Sequence, residues 1–286
     1  MKTYKIGDDQ AKQRLDVFVA SKMPELSRAF IQKLCDTAKI NVNGDLVKAG
    51  YKLKAGDTVR VDYDLKQLEQ IPDIELPISY EDGDCLVIDK PIGVLTHSKG
   101  EFNAEATVAT WLRNYIKDMA GNRAGIVHRL DRATSGVMIC AKTSAGLSWL
   151  QKQFSQRKAK KTYLAIVQGS MRETEAVIDM PIERNPKAPA TFRVGANGKH
   201  AQTYYRVLET NTDYSLLELK PTTGRTHQLR VHLSQLGHPI VGDTLYGGKP
   251  ADRLFLHAYR LEITLPNRER KTFESPMPAE FRATMK

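Results

Sequence analysis

The stretch HRLDRATSGVMICAK, residues 128–142, decides how the chain is read. Its second half, Val137, Met138, Ile139, Cys140 and Ala141, is an unbroken apolar run of the length of a buried strand. Its first half sets Asp131 between Arg129 and Arg132 at the mouth of that strand. Burying a lone carboxylate is costly unless partners hold it. Asp131 is therefore either caged by arginine or employed in chemistry.

Outward from this strand the pattern alternates. CLVIDKPIGVLTHS reads as a strand followed by a Pro-Gly turn, ATVATWLRNYI as a helix, GVMICAK as a strand and AGLSWLQKQFS as a helix. From residue 162 strands dominate, in TYLAIVQG, HAQTYYRVLET, YSLLELKP and RLEITLP. Grouped strands with segregated helices predict an α+β fold with a mixed, largely antiparallel central sheet over residues 79–286. Residues 65–78 carry two prolines and no clear period, the composition of a linker.

Residues 12–64 form a separate small unit. Leu15, Phe18 and Val19 recur at helical spacing, and Ser27 is placed to cap a second helix presenting Phe30, Ile31 and Leu34. Strands follow, in INVNGDLV with its Asn-Gly turn and in LKAGDTVRVDY with its Gly-Asp turn. Lys12, Arg14, Lys22, Arg28 and Lys33 decorate the helices, so Arg14, Arg28 and Lys33 are candidate phosphate contacts. The segments RLDVFVA, SRAFIQKL, INVNG and LKAGDTVRV, in that order, resemble the S4 RNA-binding domain.

The chain of 286 residues carries 43 basic and 33 acidic side chains, net +10, which favours a polyanionic partner. The segment KQFSQRKAKKTY, residues 152–163, interleaves five Lys/Arg with Phe154 and Tyr163, a pattern suited to holding phosphates and stacking bases. No apolar run is long enough to span a membrane, and MKTYKIGDDQ lacks the core of a secretory signal, so a cytoplasmic location is expected. Cys35, Cys85 and Cys140 are far apart, odd in number and set in apolar segments, as reduced core thiols are.

Several chemistries find no support. There is no GxxxxGK[ST], no GxGxxG after a strand, no CxxC and no HExxH, so neither ATP, dinucleotide nor zinc is suggested. His227 and His232 stand five apart, which puts their rings on different faces of a helix or a strand. Ser135 lacks the GxSxG elbow and more simply bonds backbone in a turn. A second cluster, TTGRTHQLRVHLSQLGHPIVGDTLYG, residues 222–247, offers Arg225 just after a glycine as the obvious mate for Asp131. The sequence does not by itself show that the two meet.

The strings HRLDRATSG, KTYLAIVQG, GRTHQLRVHLSQLGHPIVGDTLYG, LFLHAYRL and VIDKPIGVLTHS look like the successive motifs of the RluA-type pseudouridine synthases and span residues 80–275. With the S4-like unit in front, the chain resembles members that modify large-subunit ribosomal RNA. The resemblance implies Asp131 as the catalytic aspartate, Tyr163 as the active-site tyrosine and candidate base for the final loss of the C5 proton, and Arg225 as the arginine that pairs with the aspartate. It implies Arg129 as the side chain filling the space of an extruded base, with His128 and Leu229 beside the substrate; Leu229 stands where isoleucine is common. It implies no metal and no cofactor, since turning uracil about its glycosidic bond is an isomerisation. The expected partner is RNA, ribosomal RNA or a large-subunit assembly intermediate, met by a monomer. Two alternatives stay open on the sequence: a transfer RNA substrate, and a non-catalytic RNA-binding assembly factor, for which the basic S4-like unit would suffice.

Overall fold

The computed structural model describes residues 1–23, 26, 28–63, 73–97, 105–116 and 125–286. Ser27 and most of the expected linker lie outside the described residues. The chain divides into two compact units, residues 1–74 with 97–111, and residues 75–96 with 112–286.

The first unit contains strand β1 (Lys2–Lys5), helices α1 (Leu15–Lys22) and α2 (Arg28–Asp36), and strands β2 (Ile40–Val42) and β3 (Thr58–Val61). The strands form an antiparallel sheet in the order β1-β3-β2, against which Leu15, Phe18, Val19, Ile31 and Leu34 are buried. The Asn-Gly turn forms as the sequence predicts: Asn43 and Gly44 both take positive φ, 56° and 90°, the geometry of a type I′ turn. The unit starts earlier than residue 12, because β1 pairs with β3 from Lys2↔Val61 to Lys5↔Thr58. An alternating apolar pattern too short to notice became a strand because β3 offered it an edge.

Asp16 organises this unit's basic surface. Its carboxylate is buried at the start of α1 and accepts paired hydrogen bonds from Arg14 (3.0 and 3.1 Å) and from Arg28 (3.2 and 2.6 Å). Hydrogen bonding from Arg14, joined by Arg28, outweighs burial and lowers the Asp16 pKa to about 2. Both guanidinium groups remain more than half exposed, at 51% and 59%. Two arginines are thereby pinned side by side at the surface by one acid.

The second unit is built on a nine-stranded sheet. In chain order its elements are β4 (Ile78–Glu81), β5 (Cys85–Lys90), α3 (Val108–Tyr115, entering from residue 112), β6 (Ser135–Ala141), α4 (Ser144–Ser155) and β7 (Lys160–Gln168). There follow β8 (Glu175–Asp179), β9 (Ile182–Arg184), β10 (Phe192–Val194), β11 (Gln202–Thr210), β12 (Tyr214–Pro221) and α5 (Gln228–Gln235). The chain ends with β13 (Leu256–Thr264), β14 (Arg270–Glu274) and α6 (Ala279–Met285). The sheet order is β4-β5-β6-β13-β7-β12-β11-β8, with β14 on β13, and β9 with β10 forms a separate hairpin. Every pairing in the main sheet is antiparallel except β13 with β6, so the α+β expectation of a mixed, largely antiparallel sheet is met. The unit begins before residue 79: Leu76 is buried and the Pro77 carbonyl accepts from Asp89.

The opening strand lies where its composition demands. All seven residues of β6 are buried, between β5 and β13, and Cys85, Cys140 and, in the first unit, Cys35 are buried in their elements. Gly136 takes φ +115°, and a Cβ there would sit 2.2 Å from the Ala258 carbonyl oxygen. Only glycine allows β13 to approach at the point where Asp131 hands the chain to β6.

Candidate active site

Asp131 stands in a tight turn immediately before β6, closed by a 3.0 Å hydrogen bond from the Thr134 N–H to the Asp131 carbonyl. The turn is braced from below by Lys90. Its buried ammonium donates to the carbonyls of Pro91 and Val94 at 2.8 Å and of Arg132 at 3.4 Å, and burial lowers its pKa to about 8. The Arg132 carbonyl also accepts from Gly93 N–H, so the residue after Asp131 is fixed by two donors.

Above the turn opens a cleft of about 550 Å³, lined among others by Arg129, Asp131, Lys161, Tyr163, His227 and Arg230. The size suits one nucleotide. Asp131 is the one acid among the lining residues, whereas Arg129, Arg157, Lys161, Arg225 and Arg230 bring positive charge. Lys161 and Tyr163 are two apart on β7 and so share a face, the lysine donating to the Thr223 carbonyl at 3.2 Å. Burial, with Arg157 adding to it, lowers the Lys161 pKa to about 8. Burial, with the Asp131 charge adding to it, raises the Tyr163 pKa well above the usual phenol range. Tyr163 therefore enters as a neutral ring with its proton in place, and a phenolate base is not what this environment stabilises.

The arginine facing Asp131 is Arg230, not Arg225. Arg225 lies in the loop before α5, and its Nε donates to the His200 carbonyl at 2.9 Å, while its backbone N–H donates to Gln228 Oε1. Arg230, in the first turn of α5, grips Asp243 through Nε and Nη2, each at 2.7 Å, which leaves Nη1 3.8 Å from Asp131 Oδ2. Burial opposes the Arg230 charge, but the hydrogen bond and charge of Asp243, aided by Asp131, raise its pKa. Its guanidinium also lies over the Tyr246 ring, 4.9 Å from the centroid. The sequence held one signal for this arrangement: the Asp of VGDTLYG is a second acid inside an apolar stretch in need of a cation.

His227 is the other group near the carboxylate, its Nε2 3.9 Å from Asp131 Oδ2. It caps α5 with φ +55°, a left-handed conformation rare for residues other than glycine and often found where function holds the backbone. His232, five residues on, is buried elsewhere and bonds Thr203 Oγ1 and the Met180 carbonyl, so the two rings do diverge.

Other expected site residues take varied places. Arg129 is exposed at the rim of the cleft. His128 lines the cleft, but its Nε2 accepts from the Ile139 N–H of β6 at 3.1 Å and its ring stacks on Phe154 at 4.5 Å. Burial pulls its pKa down to about 3, so it is a neutral brace for the strand. Phe154 is accordingly spent on His128 rather than held out for a base. Leu229 is buried in the core cluster with residues of β7 and also lines the cleft. Ser135 does not turn back on its backbone: its hydroxyl meets His257 Nδ1 at 2.9 Å and Arg253 Nη2 at 2.6 Å, tying the start of β6 to β13. Among the described residues no helix is long and apolar enough to cross a membrane.

Comparison with known proteins agrees with this geometry. Residues 84–235 match the family model described as RNA pseudouridylate synthase, and residues 13–59 match the S4 domain. The chain is 37% identical to "Ribosomal large subunit pseudouridine synthase D" of Nitrosomonas europaea, over 98% of this chain and 86% of that one. It is 33% identical to "Ribosomal large subunit pseudouridine synthase C" of Vibrio parahaemolyticus, over 96% of this chain and 93% of that one. Among solved structures, "Human RNA Pseudouridylate Synthase Domain Containing 1" superposes with a TM-score of 0.60 at 32% identity, covering 72% of this chain and 85% of that one. A family model matched over more than half of the chain, with relatives of 33–37% identity along nearly all of it, shows that this chain, with its nine-stranded sheet and S4 domain, belongs to the RNA pseudouridylate synthase family.

Proposed function

We propose that this protein isomerises uridines of large-subunit ribosomal RNA to pseudouridine, with Asp131 as the catalytic carboxylate. The observation that carries the reading is the lone Asp131 facing Arg230 in a cleft otherwise ringed by cations. The charges of Arg129, Arg157, Lys161 and Arg225 suit a sugar-phosphate chain, and the Tyr163 ring offers a flat face to uracil. A uridine within folded RNA hides its glycosidic bond, so it is extruded at a cost of about a few kcal/mol, and Arg129 at the rim is placed to fill the gap it leaves. Asp131 then acts on the ribose, by attack at C1′ or by removal of the C2′ proton, and the C1′–N1 bond opens. The uracil turns in the cleft and C5 joins C1′, which frees Asp131 from C1′ or restores the C2′ proton; C5 then gives up its proton while N1 takes one in place of its bond to C1′, an isomerisation with no net redox change. Tyr163, held protonated, stacks on the ring and hydrogen-bonds through its hydroxyl while this happens.

The large-subunit assignment follows the relatives' names and the S4 domain, which together favour ribosomal over transfer RNA. Pseudouridine mapping of RNA from cells with and without the gene tests it: sites are expected to vanish from large-subunit ribosomal RNA, and loss confined to transfer RNA would contradict the assignment.

Binding and chemistry are expected to separate. Arg14 and Arg28, pinned by Asp16, are offered as phosphate contacts, and Lys33 is exposed on α2. Each phosphate contact removed lowers the slope of log K against log salt by roughly 0.7 to 0.9, so Arg14→Gln with Arg28→Gln should flatten it by about 1.5. Affinity titrations at several salt concentrations, followed by single-turnover rates at saturating RNA, measure both parts. The expected result is a flatter slope with an unchanged saturating rate; an unchanged slope would remove these arginines from the RNA interface.

A further inference from the structure

His227 and Tyr246 form a pair that the chemistry above does not use. The Tyr246 hydroxyl accepts from the Phe192 N–H at 3.0 Å and lies 2.8 Å from His227 Nδ1. A phenol has one proton to give, and two assignments are open to it. If His227 Nδ1 carried a proton, it would donate to Tyr246 and leave Nε2 as a bare lone pair facing the Asp131 carboxylate. If Tyr246 donates to Nδ1 instead, the imidazole proton sits on Nε2 and points at Asp131. The second assignment places every proton opposite an acceptor. Burial lowers the His227 pKa, with Asp131 opposing it and Arg230 assisting, which suits this neutral tautomer.

The surroundings hold the ring in this orientation. Phe192 meets the imidazole edge-on at 5.7 Å, Tyr246 does so at 5.6 Å, and the Arg230 guanidinium lies over Tyr246 from the other side. The left-handed backbone at His227 sends the side chain toward Asp131 from the end of α5, alongside Arg230 three residues later. Both donors stop just short of the carboxylate, at 3.9 and 3.8 Å. Catalytic hydrogen bonds commonly stand long in an empty site and tighten when substrate fills it.

We propose that His227 is a positioning residue for Asp131: its Nε2–H, fixed by the Tyr246 hydroxyl, becomes the second hydrogen-bond donor to the carboxylate, beside Arg230, once a nucleotide occupies the cleft. Tyr246 then acts on the reaction only through His227. The inference rests on Asp131 being the catalytic carboxylate.

The test is a mutant cycle in the full chain, run on RNA that the wild-type protein converts. His227→Asn, which tolerates the left-handed backbone but is too short to reach Asp131, should lower kcat by roughly 10- to 100-fold with KM nearly unchanged, the range for loss of a hydrogen bond to a charged group. His227→Gln, whose amide can replace the Nε2 donor, should recover part of that loss. Tyr246→Phe should lower kcat alone but add nothing in the His227→Asn background. Additive losses would overturn the proposal, because Tyr246 would then be acting through Phe192, and so would a folded His227→Asn protein with normal kcat. Nitrogen-15 NMR of the imidazole provides a readout independent of turnover: Nε2 protonated in the wild type and mixed tautomers in Tyr246→Phe are expected, and an Nδ1-protonated wild type would refute the idea. An inactive wild-type protein would instead count against the pseudouridine synthase reading, a failure that the NMR result does not share.

Discussion

Arg230→Lys is expected to lower kcat by roughly 10²- to 10³-fold, the loss typical when a fixed donor is withdrawn from a reacting centre. The reason is geometric. Two nitrogens of the guanidinium hold Asp243 at 2.7 Å, and this grip aims the third at Asp131. An ammonium is a point charge on a flexible stem and can lean toward one acid or the other, not both at fixed angles. Because the Asp243 side chain is wholly shielded from solvent, losing half of its clamp also costs stability, by about 3 to 5 kcal/mol if the pair is broken outright. Asp243→Asn is the complementary variant: it keeps the Arg230 guanidinium but loosens its aim, and because it too breaks the buried pair, its stability is measured alongside its rate. Single-turnover rates at saturating RNA, measured at a temperature where circular dichroism shows each variant folded, decide the matter. Arg225→Lys serves as the contrast and should keep kcat within a few-fold, its Nε being engaged with the His200 carbonyl. Normal turnover by Arg230→Lys, or collapse with Arg225→Lys, would overturn the pairing.

Arg225 and Arg230 are alike in the sequence and are told apart by the fold. Both arginines belong to the same short string, and charge alone does not rank them. What ranks them is the start of α5: Arg230 lies inside the helix with a rigid backbone and a buried acid to brace it, while Arg225 lies in the loop before it. The carboxylate partner, Asp243, comes from a turn thirteen residues downstream, and only the folded chain brings it near. Local features were legible. The strand at β6 followed from five consecutive apolar residues, and the turn at Asn43-Gly44 from the backbone freedom that pair supplies. Several short strands without a turn signal beside an alternating pattern were not. β1, β8, β9 and β10 hold three to five residues each, and pairing with a neighbour, rather than their own pattern, makes them strands.

His128 and Phe154 carry the same lesson for function. An imidazole beside an aspartate and an aromatic ring among lysines both suggest contact with substrate. In the fold they stack on each other, and the histidine gives its lone pair to a strand N–H. A buried hydrogen bond to an otherwise unpaired backbone donor is a sufficient physical reason for that histidine.

On this reading the Asp131 carboxylate performs the isomerisation while other side chains hold the RNA. Asparagine at position 131 keeps the size and planarity of the side chain but is neither a nucleophile nor a base. Asp131→Asn should therefore lower turnover by roughly 10⁴-fold or more, as removal of a group that acts directly on the substrate does. Its RNA affinity should stay within a few-fold, because the cations around the cleft and in the S4 domain are untouched. Pseudouridine has the mass of uridine, so the product is followed by the proton lost from C5. The decisive measurement is tritium release from large-subunit ribosomal RNA labelled at C5 of uridine, with wild-type and Asp131→Asn proteins compared at equal RNA occupancy and with no added cofactor. The account predicts steady release by the wild type and none above background by the variant; comparable release by both would contradict it.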